Sequence, residues 1–248
     1  MKSIKYMVLF FLIFACDSED AGDCFQKSGS IIQEEVMVSQ FNKILVNRDV
    51  ELIIKESDTQ AVIIETGRNL INDVVAEVVD NRLILADNNN CNFVRDYGIT
   101  KIYVTSPNIT EIRSSTQYDI SSDGVLTYPS LVIQSESFSA TGTFTSGNFY
   151  LEVNNTSLSF VFNNLSNAFI SGVTNSLSIT FASGTSRFEG RDLIAQNVRV
   201  SNRGSNDMIV NPQQSITGKI SGPGDVISVN TPSKIDVEEI YTGRLIFE

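Results

Sequence analysis

Along most of this chain apolar and polar residues alternate with a period of two, the mark of strands that bury one face and expose the other. Leu177, Ile179 and Phe181 share one face while Ser178 and Thr180 point the other way, and Leu158, Ser159 and Phe160 repeat the pattern. Between about residues 126 and 229 such segments recur at a nearly constant interval. Val132, Leu151, Ile170, Phe188, Ile209 and Ile227 are separated by 19, 19, 18, 21 and 18 residues, and Phe138, Leu158, Leu177, Val198 and Ile216 by 20, 19, 21 and 18. A period near twenty is too short for a propeller blade and suits one coil of a β-solenoid.

Upstream, the same alternation predicts strands over 36–38, 43–46, 50–55, 61–66, 74–79 and 82–85, then 102–104 and 109–112. Asp80 and Asn81 form a two-residue hairpin turn between two of them. Residues 69–73 read as a loop, with or without a short helical turn, and 87–91 as a polar loop. No segment sustains apolar residues at i, i+3, i+4 and i+7, so the fold is expected to be all β. At the end of the chain, Gly222, Pro223, Gly224 and Asp225 make a tight turn, and Thr231 and Pro232 another. Asp236, Glu238 and Glu239 suit an exposed last strand that covers the end of a solenoid.

Charge divides the chain without a linker. Residues 16–120 carry 27 charged side chains in 105 positions and 121–248 carry 18 in 128. The expected organisation is a signal peptide over 1–15, an acidic tether over 16–35, a smaller β-region over 36–120 and a β-solenoid over 121–248 that shares its core. Lys2 and Lys5 precede eight apolar residues at 7–14, too few to span a bilayer and right for a secretory signal. The run ends at Ala15 and Cys16, which resembles the lipobox of bacterial lipoproteins, with Cys16 as the lipid-attachment residue. Two kinds of acyl linkage at one cysteine would give the anchors that stable membrane attachment needs. Asp17, Glu19 and Asp20 resemble the surface-export signal of lipoproteins in a Bacteroidetes-type envelope; in enteric bacteria the aspartate next to the cysteine would instead favour inner-membrane retention, and a periplasm-facing anchor is the alternative to surface exposure. Cys24 and Cys91 remain as an even pair in an oxidising compartment, either a disulfide or two separate thiols.

The net charge of −11 becomes −13 without Lys2 and Lys5, and a chain so acidic repels nucleic acid. The absence of histidine removes Ser-His-Asp and Cys-His nucleophiles and the usual zinc ligands. No phosphate loop or dinucleotide fingerprint occurs, and no cofactor or metal site is expected. The remaining catalytic option is paired carboxylates, Asp119 with Asp123 and Glu189 with Asp192 beside Arg187 and Arg191, in a fold resembling that of polysaccharide lyases and hydrolases. Charge pairs on a solvated edge explain the same residues. Gly222-x-Gly224 is a fragment of calcium-binding solenoid repeats and equally a turn. Between Glu136 and Arg187 the only charge is Glu152, and Asn154, Asn155, Thr156, Asn163 and Asn164 face outward. These amides and hydroxyls either form hydrogen-bonded ladders between coils or present a neutral face to a glycan or protein.

Several stretches together resemble the family called putative auto-transporter adhesin, head GIN domain: Phe41 with Ile44 and Val46, then 50–54, Asn69 to Ile71, 83–85, Ile112 with Ser114 and Ser115, and Gly222 to Val226 followed by Thr231 and Pro232. The resemblance covers about 41–247. Pro223 and Thr231 stand where relatives often carry Ser and Gly. It implies a right-handed, β-helix-like fold in a lipid-anchored envelope protein, an adhesion role and no catalytic residues. The expected function is therefore non-enzymatic recognition of an extracellular glycan or protein from the outer-membrane surface. A structural or accessory envelope protein and a polysaccharide-degrading enzyme are the alternatives.

Overall fold

The computed structural model describes residues 23–89, 91–138 and 144–248. The expected signal peptide, Cys16, Asp17, Glu19 and Asp20 lie outside the described residues. The fold is all β, with two short 3-10 turns among the described residues, at Asp23–Phe25 and Ile71–Asp73. The first strands are β1 (Ile31–Glu35), β2 (Lys43–Val46), β3 (Glu51–Glu56), β4 (Ala61–Gly67), β5 (Val74–Val79), β6 (Arg82–Asp87), β7 (Lys101–Ser106) and β8 (Glu111–Ser114). There follow β9 (Ile120–Leu126), β10 (Ser130–Ser135), β11 (Phe149–Phe162), β12 (Ala168–Phe181), β13 (Phe188–Asn202), β14 (Met208–Ile220), β15 (Val226–Ser228), β16 (Lys234–Glu239) and β17 (Leu245–Phe247).

All seventeen strands among the described residues join one strongly curled, open sheet. It folds into two mostly parallel ladders whose inner faces share one core. In one ladder Leu83, Ile44, Ile112, Ile133, Phe160, Ile179 and Val200 pair in turn, one residue per strand. In the other, Ile64, Ile102, Leu52, Ile120, Phe149, Ala168, Phe188, Met208 and Val226 do the same. Strands β11 to β14 are long because each crosses from the second ladder to the first. Every one of these inward side chains is buried, each contributing about 1.5 to 3 kcal/mol for the larger aliphatics and aromatics. Phenylalanines fasten the ladders together: Phe149 of one stacks on Phe162 of the other at 5.3 Å, and Phe188 meets Phe160 edge to face at 5.1 Å.

The twenty-residue period corresponds to this stacking in part. Leu158, Leu177, Val198 and Ile216 form one column, headed by Leu131 and ended by Ile235. Phe138 is outside it, exposed beyond the end of β10, so its spacing to Leu158 is coincidental. Leu151 pairs with Ile170 and Ile209 with Ile227. Phe188 belongs instead to the Ala168 column, and Val132 lies in the other ladder opposite Ser159.

The beginning departs further from the alternation. Residues 36–40 are not a strand, although the Val36 N–H still donates to the Val62 carbonyl at 2.9 Å. Within the expected tether, Ile31–Glu35 pairs antiparallel with β4. That strand buries little, and its glutamates make it read as solvated chain; backbone pairing at the sheet edge holds it. Asp80 and Asn81 both take positive φ, 50° and 64°, as a tight hairpin turn requires. Cys24 and Cys91 form a disulfide, Cα to Cα 4.3 Å, across a sequence separation of 67.

Gly172 has φ +107°, and a β-carbon there would lie 2.0 Å from the Val153 carbonyl oxygen of the preceding strand. Gly172→Ala is expected to lower the unfolding free energy by at least about 2 kcal/mol, read as the urea midpoint. Replacing Cys24 and Cys91 together with Ser is expected to cost roughly 3 to 4 kcal/mol in the same measurement, from the freed chain entropy of the unfolded state.

Candidate aromatic groove on the outer sheet face

On the outer face of the second ladder, alternation leaves Tyr150 between inward Phe149 and Leu151, and Phe169 between inward Ala168 and Ile170. Because Tyr150 pairs with Phe169 in register, their rings stack at 4.9 Å with only 6° between planes. They stay 42% and 38% exposed, an unusual outlay of apolar area on an outer face. Val173 and Ile194, paired with each other further along, are also exposed.

Two irregularities frame the pair. Between Phe169 and Gly172 stand two residues, whereas between their partners Glu189 and Leu193 stand three, Gly190, Arg191 and Asp192. A bulge of this kind bends the strand and re-aims its side chains. Here it brings Glu189, Arg191 and Asp192 beside Phe169, and together with Ile170 and Ser171 they line an open groove of about 400 Å³. On the other side, Ser122, Asp123 and Gly124 of β9 bulge opposite Leu151 alone.

The groove's charges are partly committed. Arg187 holds Glu189 at 2.5 Å and reaches Asp207 at 3.4 Å. Arg191 donates to Glu248 at 2.7 Å, which holds the Glu248 carboxyl below its ordinary pKa and raises that of the guanidinium. Asp192 is exposed on the rim.

Of the two carboxylate pairs singled out from the sequence, Glu189 and Asp192 share this groove. Asp119 and Asp123 are separately engaged: Asp119 accepts the Asn148 N–H at 3.4 Å, and Asp123 pairs with Lys55 at 2.9 Å. Gly222 and Gly224 lie in a stacked turn, where the Gly224 N–H bonds the Gly204 carbonyl. No group of three or more His, Cys, Asp or Glu among the described residues could hold a metal ion.

The outward amides divide between two roles. Asn148 and Asn167 bond each other at 3.0 Å, and the Asn167 oxygen accepts the Arg187 N–H at 3.0 Å. Below them Asp207 accepts the Asp225 N–H, and Asp225 the Arg244 N–H, so one polar column, begun by Asp119, precedes β9, β11 to β15 and β17. Asn155 bonds Thr174 at 2.7 Å and Asn163 bonds Ser137 at 3.2 Å. Asn154, Thr156 and Asn164 remain exposed. Outside the first ladder, Ser157, Ser176, Asn197 and Ser215 form a neutral row, which Arg199 and Lys219 flank in the later strands.

The aromatic pair was legible only in retrospect. Tyr150 and Phe169 are 19 residues apart on polar-phase positions, a spacing hidden by the apolar neighbours on either side.

The family model for putative auto-transporter adhesin, head GIN domain, matches residues 40–232. The chain belongs to that family. Among solved structures, this head GIN chain is similar to a putative adhesin from Bacteroides fragilis NCTC 9343 at 20% identity and TM-score 0.79, covering 90% of this chain and 99% of that one. A putative lipid binding protein from Parabacteroides distasonis ATCC 8503 aligns at 14% identity and TM-score 0.60, over 88% and 97%. A putative adhesin from Parabacteroides merdae ATCC 43184 aligns at 15% and TM-score 0.57, over 90% and 98%. At such identities the likeness is one of fold. No curated protein matches the chain. Among the described residues no helix is long and apolar enough to cross a membrane.

Proposed function

We propose that this head GIN protein is a non-enzymatic recognition module, anchored to the outer membrane through lipid on Cys16 and displaying a right-handed β-solenoid to an extracellular glycan. The solenoid reading is supported by strands β11 to β14, whose register advances by about twenty residues per rung through both ladders. The anchor reading is supported by the apolar run that ends at Cys16, and the surface reading by Asp17, Glu19 and Asp20 immediately after it.

The observation that carries recognition is the stacked, solvent-facing Tyr150–Phe169 pair beside a groove rimmed by Ser171, Glu189, Arg191 and Asp192. A pyranose is amphiphilic in the matching sense: its C–H face covers an aromatic ring while its hydroxyls exchange hydrogen bonds with polar groups alongside. Exposed aromatic area is the costly part of such a surface in water and the part that gains when covered.

Glycan-array binding by the mature chain is expected to fall at least tenfold in a Tyr150→Ala, Phe169→Ala double variant, with the fold retained because both side chains are outside the core. A blank array for the unaltered chain, or binding indifferent to both substitutions, would overturn the glycan reading.

A further inference from the structure

The N-terminal end of the fold carries a second exposed apolar cluster, unrelated to the groove. Phe25, Phe93, Val94 and Tyr97 are all exposed there, Phe93 and Tyr97 by 73% and 77%. They are not loose. The Cys24–Cys91 disulfide ties their two segments together, the Phe93 N–H donates to the Cys24 carbonyl at 2.9 Å, and the Phe25 and Phe93 rings lie 5.7 Å apart. Arg95 donates to the carbonyls of Gln26 and Asn89, and the Tyr97 hydroxyl donates to the Asn92 carbonyl. A side-chain cluster this apolar, fixed in place and left in water, calls for a partner.

Its position in the chain says which. Only seven positions separate Cys16 from Asp23, a span of at most about 25 Å even at full extension, so a lipid on Cys16 would keep the cluster next to the bilayer. Next to it Lys27, Arg68 and Arg95 line an open concavity of about 610 Å³, which Asp96 shares. Neither Lys27 nor Arg68 has an ion-pair partner among the described residues, in a chain of net charge −11. Aromatic rings at headgroup depth with basic side chains around them are the composition of a membrane-interface contact.

We infer that Phe25, Phe93, Val94 and Tyr97 seat the N-terminal end of the fold in the interfacial zone of the bilayer, with Lys27 and Arg68 toward anionic headgroups. The inference rests on the reading of Cys16 as a lipid anchor. Contact at this end would hold the ladders away from the membrane by their opposite edge, β16 and β17, and fix the orientation of the groove.

The chain contains no tryptophan, so one introduced residue is a unique reporter. The mature chain, with a histidine tag in place of the lipid, is tethered by its N-terminus to nickel-chelating vesicles of phosphatidylcholine and phosphatidylglycerol. F93W is expected to shift its emission to the blue and to lose at least half its intensity to brominated lipid, while Y241W, in the turn between β16 and β17, stays water-like. Phe25→Ser in the F93W background should reduce that quenching. Emission from F93W as water-like as that from Y241W, with the chain vesicle-bound, would overturn the inference. Acylation is read separately, as incorporation of labelled palmitate that Cys16→Ser abolishes; its failure would remove the anchor and leave the vesicle result standing on its own.

Discussion

Everything in this fold depends on like stacking upon like at each rung. A strand of the head GIN domain has too few residues to bury a core by itself; it becomes stable only when its inward Leu, Ile, Val or Phe covers the equivalent side chain of the strand before it. The backbone enforces this, because a parallel ladder offset by a single residue would turn every apolar side chain to solvent. Close approach between strands then limits what fits at the turns and bends, as the contact between Gly172 and the Val153 carbonyl illustrates.

That constraint also explains where function can reside. Inward positions are fully used by packing, and the column from Asp119 through Asn148, Asn167 and Arg187 to Arg244 is used by hydrogen bonds between neighbouring rungs. What remains for chemistry is the outer face, and there the regular ladder alone would give a monotonous row. The bulges in β9 and β13 break it, and the aromatic pair lies between them. The site is thus made by local departures from the repeat.

The strands and the approximate period were legible because alternation and burial agree over long stretches, as from Leu158 through Leu177 to Val198. Register was not. The interval between the end of β10 at Ser135 and the start of β11 at Phe149 breaks the twenty-residue count, which placed Val132 and Phe138 in columns they do not occupy. The edge strand β1 was hidden by Glu34 and Glu35, since an edge strand needs backbone pairing more than apolar area. The groove was half visible: Glu189, Asp192 and their arginines stand out as charges in a bland region, whereas Tyr150 and Phe169 are indistinguishable from core residues until their phase relative to the sheet is known.

The two edges of the sheet are finished differently. At the N-terminal edge the antiparallel strands β1 and β5 close the ladders, while the C-terminal edge ends in β16 and β17, parallel to the strands they join. Each rung is therefore built on a template that already exists beneath it, and the series has a direction. Duplicating one unit of about twenty residues within β11 to β14 would preserve every pairing above and below, so lengthening by tandem duplication is the evolutionary change this architecture absorbs most easily.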